Sequence, residues 1–183
     1  MKARLFAALL VALAPAAANA ADDDNPYRTV KVGDFATYKT ISKAMGMTVE
    51  GSATRTVTAK DDKEATVAIV VKAPGVEKKD AEKIDLTRHY DPTKGALPPG
   101  FQVKMEKAKD GKEKVKVGGK EYDCTWETYT LTGTVNDLKV TGEIKVWQSK
   151  DLPLQMVKSE MTAEVAKQKF EIHMELTESG RKD

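Results

Sequence analysis

Apolar residues fall on every second position over most of this chain. Segment 169–176 shows the pattern most clearly, with apolar side chains at Phe170, Ile172, Met174 and Leu176 and polar ones between them. The same alternation recurs over 101–105 and 114–117. A period of two is typical of a strand with one buried and one solvated face, whereas an amphipathic helix repeats every 3.6 residues. The sequence therefore predicts a mainly β fold.

Short polar segments separate the predicted strands. Lys60–Lys63, Asp110–Lys112 and Gly118–Gly119 each have the composition of a tight turn, and Lys150–Pro153 that of a corner. These turns predict about nine or ten strands, joined mostly by hairpins. A twisted meander of that length curls or closes. We therefore expect a curved antiparallel meander sheet, either a half-barrel or a closed barrel-like form, with little helix.

Two segments depart from this pattern. Val76–Ile84 is rich in charged residues and fits either a short polar helix or an irregular edge strand. Asp91–Gly100 contains three prolines and two glycines, so it is predicted to be a loop. A loop of this length is either a binding loop or lid, or a plain crossover between two parts of the sheet.

The N-terminus has the three parts of a secretory signal peptide. Lys2 and Arg4 precede an apolar run at 5–13, and Ala18-Asn19-Ala20 places small residues at a cleavage site. The run is shorter than the roughly 20 residues that a transmembrane helix needs. We expect a cleavable signal over 1–20, a single antiparallel β domain over 21–183, a periplasmic or secreted location, and no transmembrane segment.

The charge of the exported chain excludes a general attraction to nucleic acid. Two of the 30 basic residues and none of the 28 acidic ones lie in the signal, so the remaining chain has no net charge. Seven lysines nevertheless lie between Lys104 and Lys120. Such a cluster is typical of a solvated face or a protected sheet edge; the other interpretation is a contact with anionic lipid or polysaccharide, or with an envelope partner.

The sequence contains no recognisable catalytic motif. The serines lack a nucleophile motif, and the two histidines, His89 and His173, are far apart in sequence. His173 falls on the solvated side of its strand, whereas His89 precedes the proline-rich loop. The sequence therefore predicts that the protein is not an enzyme, with His89 as the one nominee if it were.

Sulfur-containing residues also predict no cofactor and no metal site. Cys124 alternates with Tyr122 and Trp126, which favours a buried, inert thiol on a strand. Met45 and Met47 are spaced like a thioether pair for Cu(I), but two core residues explain them better.

Two stretches resemble small exported β proteins related to the lipoprotein-carrier (LolA-like) superfamily. Segment 145–154 followed by 157–160 places a tryptophan-bearing strand before a Leu-Pro-Leu corner and a returning strand. Segment 119–124 resembles the Gly-Lys-x-Tyr-x-Cys strand entry of related families. The resemblance implies a curved half-barrel, capped by helices, whose concave apolar face takes acyl chains. It assigns no functional residue, and the clear capping helices are missing from this sequence.

The methionine-rich apolar face is the remaining candidate for a site. Methionine adapts to varied apolar ligands, and a curled sheet with such an interior encloses either a packed core or a pocket. The predicted ligand-binding residues are Met105, Trp126, Trp147, Met156 and Met174. The leading hypothesis is a non-catalytic extracytoplasmic binding module that holds an apolar small molecule or lipid. The alternative is a structural or interaction protein of the cell envelope, with a fully packed core and an envelope protein as partner.

Overall fold

A computed structural model of the chain describes residues 25–88, 90, 101–135 and 138–182. In these residues a 3-10 turn, Pro26–Arg28, precedes nine strands. The strands are β1 (Asp34–Ala44), β2 (Met47–Lys60), β3 (Glu64–Ala73), β4 (Val76–Asp85), β5 (Phe101–Val117), β6 (Lys120–Val135), β7 (Leu138–Gln148), β8 (Met156–Val165) and β9 (Gln168–Arg181). The predicted signal peptide, His89 and the predicted loop at 91–100 lie outside the described residues.

The nine strands form one antiparallel sheet in the order β4-β3-β2-β1-β9-β8-β7-β6-β5. Strands β4 and β5 are its two edges. Cα atoms of β5 come within 8 Å of β9, although β5 and β9 are four positions apart and a flat sheet would separate them by about 19 Å. The sheet is therefore curled but not closed into a barrel. This confirms the predicted curved antiparallel meander and selects the open form.

Each strand turns one face inward. The inner face, as we call it, carries Tyr38 on β1, Arg55 on β2, Val67 on β3, Tyr129 on β6 and Met174 on β9, none of them more than 6% exposed. The largest apolar cluster joins inner-face residues from β1–β3 with others from β6–β9. The curl thus lets the two halves of the sheet cover each other, as a sheet with so little helix requires.

The segment before β1 covers the rest of the inner face. Tyr27 and Val30 pack in a second apolar cluster with side chains of β2, β3 and β4. Two hydrogen bonds fix this segment: Asn25 Nδ2 donates to the Asp85 carbonyl over 2.8 Å, and Lys60 Nζ donates to the Val30 carbonyl over 2.8 Å. Tyr27 and Val30 are therefore part of the core.

The predicted turn at Asp110–Lys112 was wrong. These residues lie in the middle of β5, where Gly111 pairs with Trp126 of β6. A Cβ on Gly111 would lie 2.6 Å from Cζ2 of Trp126. The glycine therefore makes room for an indole ring that lies across the strand, which is a packing role that sequence cannot distinguish from a turn.

Several other local predictions are settled by the structure. Val76–Ile84 is an edge strand, part of β4, and its exposed charged residues protect the edge from pairing with another chain. Cys124 is buried, as predicted, at 4% exposure. Met45 and Met47 are not core residues, because they flank the β1–β2 turn and are 41% and 51% exposed.

Candidate binding site

The five predicted ligand-binding residues lie on two opposite faces. Met105, Met156 and Met174 are on the inner face, whereas Trp126 and Trp147 are on the outer one. Met156 and Met174 are buried, and Met105 is half-buried on the edge strand β5. All five nevertheless belong to one apolar cluster: Trp147, Met156 and Met174 are buried members, and Met105 and Trp126 pack against it.

The outer tryptophans lie in a cluster in which Glu113 and Lys145 pair with each other and contact the indole rings. Lys145 Nζ lies 4.2 Å from the ring centroid of Trp126 and 4.3 Å from that of Trp147. Glu113 accepts a hydrogen bond from the Trp147 indole nitrogen and pairs with Lys145 Nζ at 3.1 Å. The Trp147 hydrogen bond, with Lys145 beside it, holds the pKa of Glu113 below its ordinary value. This cluster stabilises the sheet by cation–π contacts and leaves little ring surface for a ligand.

The inner face is different, because it contains buried polar atoms without partners. Six buried side-chain atoms find no hydrogen-bond partner among the described residues; we call them the orphan atoms. They are Thr40 Oγ1, Ser42 Oγ, Arg55 Nε, Gln148 Nε2, Gln155 Oε1 and Ser179 Oγ. All but Gln155 lie on strands and face inward. Buried polar atoms are normally hydrogen-bonded, and each exception calls for an explanation.

The orphan atoms lie beside the buried methionines. Thr40 pairs in register with Met174, and Gln148 pairs with Met156. Ser42, two residues along β1, pairs with Ile172. The centre of the inner face is thus an apolar surface with polar atoms at defined positions, the usual composition of a small-molecule site. Sequence analysis missed these residues; a polar residue at an inward position of an alternating strand was the available signal.

A second polar group on the inner face surrounds Arg55. Its side chain is buried, and Nη2 donates to Glu82 Oε2 over 2.9 Å while Nε is an orphan atom. Tyr27 and Tyr90 lie next to it, with ring centroids 5.1 Å apart. Burial raises the pKa of both tyrosines and of Glu82, although Arg55 acts in the opposite direction on each. The Arg55 guanidinium is permanently charged, so this part of the core contains a buried positive charge.

A third polar group, at the β5–β6 edge, is complete in itself. Tyr129 donates a hydrogen bond to the Glu127 carboxylate, which also pairs with Lys107 Nζ at 2.7 Å. Burial, followed by the hydrogen bond to Glu127, raises the pKa of Tyr129. All three side chains have partners, so this group has no free donor for a ligand.

The described residues contain no group of three or more His, Cys, Asp or Glu side chains placed to hold a metal ion. Two candidates from the sequence, His173 and Cys124, lie on strands β9 and β6. His173 is half-exposed, with Nδ1 3.8 Å from Glu160. The thiol of Cys124 is buried, and desolvation, then Glu113, raises its pKa to about 11. A thiol of that pKa is a weak nucleophile at neutral pH because little of it is thiolate.

Comparisons with known proteins define the fold. No protein-family model matches the sequence, and a search of curated proteins finds no match. A solved structure from Bacteroides fragilis, of a protein inferred to be exported and with a YmcC-like fold, is similar over 83% of this chain and 97% of its own length. Its TM-score is 0.53 and its sequence identity 11%, so the likeness is one of fold alone. Within the described residues, no helix is long and apolar enough to cross a membrane.

Proposed function

We propose that this protein is a non-catalytic extracytoplasmic binding module that holds an apolar ligand, such as a lipid, inside its curled sheet. The signal pattern at 1–20 supports the location, as does the export inferred for the Bacteroides protein of similar fold. One observation carries the binding role: at the centre of the inner face, buried polar atoms beside Met156 and Met174 have no partner among the described residues.

The energetics favour a ligand with oxygen atoms along or at the end of its apolar body. A buried donor without a partner destabilises a protein by about 1–3 kcal/mol. The hydroxyl groups of Thr40 and Ser42 and the amide nitrogen of Gln148 all donate hydrogen bonds. An acyl chain with ester, hydroxyl or carboxyl oxygens would accept those bonds while its methylene groups contact the methionines.

The open edges of the sheet provide the route of entry. No described residues of β4 and β5 pair with each other, so both edges are open and entry there breaks no hydrogen bond between strands. On β5, Val103 and Met105 are half-buried inner-face residues that pack at the margin of the main cluster. An acyl chain that enters at this margin would contact Val103 and Met105 first.

The direct test is analysis of the ligand that the protein carries. Protein exported by its own signal and purified without detergent should yield lipid on organic extraction, identified by mass spectrometry. After delipidation it should bind a fluorescent fatty acid such as cis-parinaric acid with saturation at about one ligand per protein. Clean extracts together with failure to bind the probe would refute the proposal and leave the packed structural protein as the better explanation.

A pair of variants separates a binding role of the orphan atoms from a structural one. Thr40→Val removes an unpaired hydroxyl, so ligand-free stability should stay level or rise, whereas probe affinity should fall several-fold. The matched control is Thr37→Val on the outer face of the same strand, where Oγ1 lies 3.2 Å from Thr54 Oγ1. The control should lose some stability and keep its affinity. Equal affinities in the two variants would contradict the assignment of Thr40.

A further inference from the structure

The proposed function does not specify the end group of the ligand. The buried side chains around Arg55 indicate which chemical class that end group belongs to. Resting on that function, we propose that Arg55 binds an anionic head group, a carboxylate or a phosphate, of the ligand held inside the sheet. The apolar body would then extend over the methionines of the inner face.

Arg55 has unused donor capacity in a place that water does not reach. It is 4% exposed, and a guanidinium has five N–H groups in a planar fork. One of them donates to Glu82, and Nε finds no acceptor among the described residues. Nε and the Nη on the same edge of the fork together bind a carboxylate or phosphate through two parallel hydrogen bonds. The free Nε therefore marks the edge of the guanidinium that an anion would occupy.

A second orphan atom lies in the same row of the sheet. Arg55 on β2 pairs with Ala36 on β1, and Ala36 pairs with Ser179 on β9. The orphan hydroxyl of Ser179 and the orphan Nε of Arg55 thus come from strands on either side of one small side chain. Their Cα atoms are about 10 Å apart, since each strand spacing is about 4.8 Å. This row offers hydrogen-bond donors to the head group and little bulk to obstruct it.

Glu82 acts as a replaceable partner for the guanidinium. Its side chain is 17% exposed and belongs to the edge strand β4, so it can turn outward without leaving a buried carboxylate. Burial raises its pKa, which shows that its present position disfavours the charged form. An incoming anion would take over the Arg55 hydrogen bond at Nη2 and let Glu82 return to water.

The test compares ligands that differ only in the head group. Delipidated protein is titrated with 11-(dansylamino)undecanoic acid and with its methyl ester, which has the same apolar body and no charge. The acid should bind about tenfold more tightly, the usual effect of a charge-assisted hydrogen bond. Competition by dodecanoate, dodecyl phosphate and dodecanol then identifies the anion: the stronger of the first two is the preferred head group. Competition by dodecanol equal to both would overturn the proposal.

Variants link the effect to Arg55. Glu82→Gln removes the competing charge and should tighten binding of the acid several-fold while leaving the ester unchanged. Arg55→Gln alone leaves Glu82 without its partner and risks unfolding, so the double variant Arg55→Gln, Glu82→Gln is used. It should bind acid and ester equally. A preference for the acid that persists in the double variant refutes the role of Arg55 and leaves the binding module intact; failure of both probes with wild-type protein refutes the proposed function itself.

Discussion

Replacement of Gly111 by alanine should destabilise the protein, although the backbone at this position suits any residue. Gly111 lies within β5 and has no positive φ, so an added methyl group causes no backbone strain. The obstacle is the indole of Trp126, since the new Cβ would lie 2.6 Å from Cζ2, 2.8 Å from Cε2 and 3.0 Å from Nε1. Lys145 lies against the same ring and limits its displacement.

The expected magnitude follows from two opposing effects. Alanine reduces the entropy of the unfolded chain, which stabilises the folded protein by about 0.4–1 kcal/mol. Overpacking against a held side chain costs about 1–3 kcal/mol. The net loss in the free energy of unfolding should be about 1–2 kcal/mol, a fall in Tm of roughly 2–8 °C for a chain of this size.

Two other glycines of the sheet serve as controls in the same assay, urea unfolding followed by circular dichroism. Gly180 would place a Cβ 3.5 Å from the Phe35 ring, an ordinary contact, so Gly180→Ala should be neutral or slightly stabilising. A Cβ on Gly142 would overlap the backbone oxygen of Thr162, so Gly142→Ala should lose about 3 kcal/mol or more. Tryptophan emission of Gly111→Ala should also shift to the red as Trp126 moves outward.

The three variants should differ in stability in a fixed order. Gly180→Ala should be the most stable, Gly111→Ala intermediate, and Gly142→Ala the least stable. If Gly111→Ala is as stable as Gly180→Ala, with unchanged tryptophan emission, the Trp126 ring does not need the space that Gly111 leaves, and the packing role of this glycine is refuted.

Three further predictions concern titratable groups. The buried tyrosines at 27, 38, 90 and 129 have pKa values raised by desolvation, so the folded chain keeps protons that the unfolded chain loses above about pH 10. Stability is thus retained below pH 10 and should fall above it by up to about 1.4 kcal/mol per pH unit per tyrosine, measured by urea unfolding at pH 9–11. Cys124, with a pKa of about 11, should react with a thiol reagent at pH 8 about 100-fold more slowly when folded than in urea. Glu113→Gln should lower the free energy of unfolding by about 1 kcal/mol, because the contacts with Trp147 and Lys145 lose their charged partner. The control is Glu121→Gln, at an exposed pair with Lys114, which should change the free energy of unfolding by less than about 0.5 kcal/mol.

The strands were predictable and the composition of the site was not. Alternation in β9 identified the inward residues correctly, because the side-chain period of a strand depends on local geometry alone. The same reasoning did not show that the tryptophans and Met105 approach the main apolar cluster from opposite sides of the sheet. Trp126 and Trp147 pair with each other across β6 and β7 on the outer face, and the face that a strand presents to the core depends on its register with neighbours.

Polar residues of the inner face were missed for a related reason. Thr40 and Arg55 lie among threonines, lysines and serines in sequence, so the apolar alternation that marks inward positions in β9 is weak around them. Their burial follows from pairing: Thr40 is placed next to Met174 by the β1–β9 ladder, which joins residues 126 to 147 positions apart in the chain.

Sequence by itself determined the fold class, a mainly β chain of alternating strands and short turns, because alternation and turn composition are local properties. Tertiary structure decided how the sheet is completed and what its interior contains. The final strand returns to pair with the first, the segment before β1 closes one part of the core, and the curl encloses Arg55, Thr40 and Gln148 with their orphan atoms. These outcomes depend on contacts between residues that are distant in sequence. A local sequence pattern does not predict the free energies of such contacts.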